Sequence, residues 1–437
     1  MSIIRFVPFF CSVVIAIAVS ATEHHVFRRL EATNSMSNNN VKAILKDKDG
    51  FLWVGTASGL NRYDGYEYKL YGIHSSSNAT KDYLNDIQSL QEDCDGNIWV
   101  RSYRNYSVFN RDKDAFSVEV PKLLAGYGID VDENYCVYVD CSRNLWILTD
   151  KTIHFFDMST RKLKSRPHSI GTLHSNFGIS DDSSGIYILL DTEEICVIDK
   201  SRLAIGYINT PENVSGFNHI YADYQQGLWL FSDHNDEIFY RKKSSRWTPL
   251  PLPSSDLTQS KGIRSILDDK SGHVWIGTDH NGLYIYNQSS GALEHFVHDS
   301  MTTGSLPSNN VSYIYHDAEN TLWFGHNKSG ISFCNDTQLQ FEDYGFFGLD
   351  DITALLVDRE GRIWAGTDGY GLYRKNVNDS GRAEKISSVF NGSIICLDED
   401  KDGTVSAGCY GNGIYRINRN GIRHFTVANS SLISDIV

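Results

Sequence analysis

The chain lacks a basic surface. Lys and Arg number 40 against 54 Asp and Glu, for a formal net charge of −14. General nucleic-acid binding needs a positive face for phosphates, so that class is excluded. The same balance gives no long-range attraction to anionic membranes, leaving only a local basic patch for such contacts. Methionine and proline are also scarce, at 4 and 8 residues. Cysteine is present but not as a framework. Cys11 sits in the N-terminal apolar run, and the other seven (94, 136, 141, 196, 334, 396 and 409) are odd in number and scattered. That excludes a disulfide scaffold, and with no CxxC pair it argues against zinc. Cys136 and Cys141 stand close enough to bridge across a turn; the alternative is a set of buried small hydrophobes. Gly-x-Ser-x-Gly, P-loop, Gly-x-Gly-x-x-Gly and His-Glu-x-x-His motifs are all missing, so no cofactor is expected.

The apolar run Val7 to Val19 is short for a membrane span. Arg5 precedes it, and Val19-Ser20-Ala21 offers small residues for cleavage. Residues 1–21 read as a secretory signal, with an exported chain starting near Thr22. A retained anchor is the alternative.

What the sequence has is a repeat. Residues 268–287 run from an acidic turn closed by Gly272, through an apolar strand with Trp275, to Gly277-Thr278, a polar loop, Gly282 and an aromatic strand. Alternation punctuated by Gly and Asp marks antiparallel strands. The phrase recurs around Trp53, Trp99, Trp146, Tyr187, Trp229, Trp275, Trp323, Trp364 and Val405, at steps of 41 to 48 residues. A period near 40–50 predicts an all-β propeller, one four-stranded blade per copy. In the first copy strands A to D are expected at Asn40–Leu45, Phe51–Gly55, Leu60–Tyr63 and Tyr66–Tyr71.

Nine copies exceed one ring of typically 4–8 blades. The expectation is therefore a seven-bladed propeller over 22–345, followed by the first two blades of a second, truncated propeller over 346–437. A tenth copy begins at Leu432. Two segments compete for the outer strand of the seventh blade, Val26–Leu30 and Gln340–Tyr344; chain continuity favours the latter. Within a blade, the strand-B Trp is expected to face the neighbouring blade. Gly55, Gly277, Gly325 and Gly366 mark a close backbone approach or a bulge. Asp47, Asp93, Asp223, Asp268, Asp317, Asp358 and Asp400 open the A–B turns and accept from turn N–H groups. Asp-x-Asp-Gly at 47–50, 93–96 and 400–403 invites a calcium reading, but the twelve-residue loop with its distal Glu is missing, so no metal is expected.

The stretch 39–65, containing Trp-Val-Gly-Thr-Ala-Ser-Gly-Leu-Asn-Arg-Tyr-Asp-Gly at 53–65, resembles the two-component-regulator propeller repeat. Trp-Ile-Gly-Thr-Asp-His-Asn-Gly-Leu at 275–283 and Trp-Ala-Gly-Thr-Asp-Gly-Tyr-Gly-Leu at 364–372 are similar to it too. The resemblance spans nearly the whole mature chain and is weakest in copies 3 and 4. It implies the periplasmic sensor of a Bacteroides-type hybrid two-component system. Such a sensor has two seven-bladed propellers, a small β-sandwich, one membrane helix, then histidine kinase, receiver and DNA-binding domains. It implies oligosaccharide detection that controls glycan-utilisation genes, a homodimeric parent anchored in the inner membrane, and a phosphorelay whose kinase lies outside this chain.

B–C and D–A loops share one face in this blade order. Aromatic, amide and charged side chains there suit a sugar, stacking on its apolar face and bonding its hydroxyls. The candidates are Arg101, Tyr103, Arg104, Tyr106, His234, His280, Asn281, Lys328, Tyr370, Tyr410 and Asn412. Arg-Ser-Tyr-Arg-Asn-Tyr at 101–106 departs most from Gly-Thr-x-x-Gly and offers a bidentate grip on a carboxylate or sulfate; a solvated loop that drifted is the plain alternative. Asp233, Asp236, Asp279 and Asp368 on the same loops leave a propeller glycosidase or lyase open, since it would need a general acid and a base on one mouth. A protein-interaction scaffold is the other alternative.

Overall fold

The computed structural model describes residues 25–72, 85–102, 105–111, 113–117, 119–132, 134–170, 178–234, 237–243, 245–253, 262–302, 304–335, 351–376, 383–386 and 392–437. They form nine four-stranded antiparallel sheets, one per repeat, plus one short helix, Val120–Gly126. No helix among them is long and apolar enough to cross a membrane. The chain divides into two compact units at 338/339, the first holding seven sheets and the second two.

In the first sheet the strands are Val41–Lys46, Leu52–Thr56, Gly59–Tyr63 and Tyr68–Tyr71, within two residues of the expected bounds. The strand-B indole does two jobs. It packs on the next sheet: Trp53 shares an apolar cluster with Ile87, Leu90 and Phe109. Its N–H also donates to the Asp six residues upstream, 2.7 Å from Trp53 to Asp47, a bond not anticipated from the sequence. The same bond recurs for Trp99, Trp146, Trp229, Trp323 and Trp364. The other Asp47 carboxylate oxygen accepts from the Asp49 and Phe51 N–H groups, tying turn and strand together. In the sixth sheet this role falls to Asp269, 2.9 Å from the Trp275 indole nitrogen, rather than to Asp268. Asp268 instead accepts from the Tyr224 N–H of the preceding sheet's turn.

Four of the strand-B tryptophans are followed two residues on by a Gly, which the next sheet's inner strand explains. A Cβ on Gly55, Gly277, Gly325 or Gly366 would lie 2.5–2.9 Å from a side-chain carbon of Ile87, Val311, Val41 or Ile394. Val41 is fully buried and stiff at χ1. Gly325→Ala is therefore expected to lower stability by about 1–3 kcal/mol through overpacking, read as a lower urea midpoint.

Apolar clusters join each consecutive pair of the first seven sheets. Another joins the seventh to the first, with Val41 and Ile44 against Tyr313, Trp323 and Ile331. At four other boundaries an acid near the end of strand A caps the neighbouring turn: Glu92, Asp181, Asp268 and Glu399 accept from the N–H groups of Lys48, Cys141, Tyr224 and Arg359. At the seventh-to-first boundary the residue is Lys46, 2.7 Å from Glu319 and 3.4 Å from Asp317. Burial opposes the Lys46 charge, but these carboxylates outweigh it and raise its pKa.

The outer strand of the seventh sheet is the N-terminal one. Arg28–Arg29 pairs antiparallel with Ser332–Phe333, correcting the preference for Gln340–Tyr344, which lies outside the described residues. Phe27 is buried edge-on against Phe296 and Phe324, and the Leu30 N–H donates to the Ile331 carbonyl. Continuity in sequence lost to these long-range contacts. The signal at 1–21 is also outside the described residues. Among the described cysteines all seven are free; four are buried, and 94, 141 and 396 are exposed. The exposed three do not fit the buried-hydrophobe reading.

Candidate functional site: a seven-walled cavity and its rim

All seven inner strands of the first unit wall one cavity of about 610 Å³. Lys42, Leu90, Val137, Ile179, Ile220, Ile266 and Ile314 each contribute from a different sheet. In the first unit four inner strands carry a β-bulge at their second residue: Lys42, Gln88, Arg264 and Ser312. A bulge inserts one unpaired residue and re-aims a side chain. All four line the cavity.

At its rim a polar chain crosses three sheets. Asn218 donates to Asp233 over 2.5 Å. Arg264 lies 3.5 Å from Asp233 and 2.5 Å from Asp279. Asn310 donates to Asp279 in turn. His234 and His280 stand outside, 3.3 Å and 2.7 Å from Asp233 and Asp279, with imidazoles largely exposed. Lys42, on the first sheet's inner strand, pairs with Asp86 at 2.6 Å. Beneath, His219 stacks on Phe231 with ring centroids 4.9 Å apart.

Burial holds the pKa of His219 down to about 4, and that of His326 likewise. His326 bridges the Asn310 carbonyl and the Ser332 hydroxyl in the interior, where burial opposes charging the ring. Both folded pKa values lie below the unfolded value near 6.5, so the unfolded chain binds more protons between those limits. Stability is fully present above pH ~6.5 and is expected to fall towards pH ~4, by on the order of 1–2 kcal/mol per histidine at pH ~5. Urea titrations at several pH values check this; His326→Asn is expected to flatten the slope.

The candidates from the sequence separate clearly. Arg101 lines the cavity wall, and Lys328, His234 and His280 are exposed around its mouth. Tyr103 and Arg104 lie outside the described residues, as does Asp236. Tyr106 is not a rim residue. It stacks on Tyr135 and its hydroxyl meets the Cys136 sulfur at 3.4 Å, where burial raises both pKa values. Asn281 is also committed elsewhere: it is buried and donates to the Tyr284 hydroxyl at 2.6 Å. Tyr284 stacks on His295, whose ring bonds the Asn281 carbonyl. Asn412, Tyr415 and His424 repeat this clasp in the ninth sheet. The local phrase Asn-Gly-x-Tyr was the available signal for a structural role. Tyr370 and Tyr410, of the second unit, are exposed by 56% and 64%. Arg264, Asn218 and Asn310 were missed because they sit on inner strands or D–A loops, not B–C loops.

Nine repeated four-stranded antiparallel sheets, packed on their neighbours within each unit through the strand-B aromatic, are the blades of a β-propeller protein. Four stretches, 35–58, 258–280, 305–328 and 347–369, match the two-component regulator propeller family model and are copies of that repeat. Over 58 residues it is 40% identical to histidine kinase P4 of Formosa agariphila, covering 13% of this chain and 4% of the kinase. The fold is similar to the extracellular domain of a putative hybrid two-component system from B. thetaiotaomicron, with TM-score 0.59 and 20% identity. That alignment covers 94% of this chain and 62% of that domain. Virginiamycin B lyase from Staphylococcus aureus aligns with TM-score 0.51 and 15% identity, over 71% of this chain and 99% of the lyase. The chain thus spans a small part of the kinase and under two thirds of the sensor domain.

Proposed function

We propose that the chain is the ligand-sensing propeller region of a membrane-anchored hybrid histidine kinase, facing the periplasm and detecting an oligosaccharide. The first seven sheets form one closed propeller in this view, and the eighth and ninth open a second. The carrying observation is the single cavity walled by all seven inner strands, with Arg264, Asp233 and Asp279 at its mouth. A concave mouth with a few convergent polar groups is the usual form of a binding site. Similarity to extracellular domains of hybrid two-component systems supports the sensor role. Kinase chemistry, dimer formation and membrane anchoring belong to a longer parent, in which ligand would favour one arrangement of paired sensors over another.

Calorimetry against a glycan panel tests this. Binding without turnover is expected, and Arg264→Gln should weaken it by roughly tenfold or more by leaving two carboxylates facing each other. Hydrolysis or elimination of a bound glycan would contradict it in favour of an enzyme.

A further inference from the structure

Two rim pockets, of about 460 and 310 Å³, share Lys328. Their other walls are serines, amides, Met36 and His280, and neither is lined by an Asp or Glu. That is notable in a chain with 54 acids. Lys42 and Arg264 at the same mouth are matched by carboxylates. Lys328 is not: among the described residues its ammonium makes no ion pair or hydrogen bond, and the side-chain amides of Asn39 and Asn327 beside it make none either. An exposed ammonium offers three donors and no acceptor, and the amides offer both.

We infer that Lys328 is the anion-binding point of the rim, seating a carboxylate or sulfate of an otherwise hydroxyl-rich saccharide whose hydroxyls meet Asn39 and Asn327. This rests on the mouth being the ligand site. Lys328 holds a left-handed backbone, φ 75°. Asn tolerates that conformation well, so Lys328→Asn removes the charge without straining the turn. A lysine is a point charge without the planar fork that selects a bidentate partner, so both anions fit, and the test separates them.

The full chain is titrated calorimetrically with three length-matched sets: neutral, uronate-bearing and sulfated oligosaccharides. One anionic set is expected to bind about tenfold or more tighter than the neutral set, with affinity falling as sodium chloride rises. Lys328→Asn should abolish both the preference and the salt dependence, and Lys328→Arg should keep them. Whichever anionic arm responds identifies the group. Equal binding of neutral sugars, unchanged by Lys328→Asn but weakened by Arg264→Gln, overturns the anion inference while the mouth stands. Silence in all three arms, or binding indifferent to both substitutions, overturns the mouth as well.

Discussion

Trp53→Ala is expected to cost about 3–5 kcal/mol of stability, the range for deleting a fully buried aromatic. The ring is completely buried between the first and second sheets. Phe109 meets it edge-on at 4.8 Å, and the Arg62 guanidinium stands 5.7 Å from its centroid. The alanine would open a cavity bounded by two sheets that cannot both collapse into it. It would also strip the Asp47 carboxylate of its indole donor while leaving that carboxylate buried. Trp53→Phe separates the two parts. It keeps most of the apolar contact and loses the hydrogen bond, so a loss of about 1–3 kcal/mol is expected. Urea denaturation followed by circular dichroism reads both. A Trp53→Ala protein as stable as wild type would contradict the role given to the indoles.

Phe27→Ala is expected to cost a similar ~3–5 kcal/mol, from a segment with only two residues in strand conformation. Its effect would be local as well as global. Phe27 anchors the outer strand of the seventh sheet between Phe296 and Phe324, and His25 adds edge contacts to Trp275 and Phe296. Loosening it bares the edge of strand Gly330–Cys334, whose unpaired groups then invite exchange, proteolysis and association. Hydrogen exchange should show protection lost first at the Leu30 amide and along Gly330–Cys334. Loss spread evenly over all nine sheets would argue that the N-terminal strand is not a local closure.

The repeat was legible because its determinants lie close together in sequence. An indole, a Gly two residues on and an Asp six residues back are all within one hairpin, and one hairpin defines a sheet. The Asp-to-indole bond lay in the same window but was overlooked, since turn chemistry already explained the Asp. Closure was not legible: Arg28 and Phe333 are 305 positions apart, and no local pattern ranks that pairing above the nearer Gln340–Tyr344. The rim was half legible. Counting loops found His234, His280 and Lys328, but a bulge in the inner strand, which aims Arg264 into the cavity, leaves no mark in hydrophobic alternation. Asn281 and Asn412 misled because polar loop residues read as free, whereas a Tyr three positions later claims each amide.

Zero-length carbodiimide cross-linking of the native chain, mapped by mass spectrometry, tests the closure on which the cavity depends. Lys46 and Glu319, 273 positions apart, stand 2.7 Å from each other across the boundary of the first and seventh sheets. An intramolecular Lys46–Glu319 amide, lost in Lys46→Arg, is the predicted product. Its absence alongside an efficient link between Lys42 and Asp86, which are paired at 2.6 Å, would contradict a cavity enclosed by seven sheets.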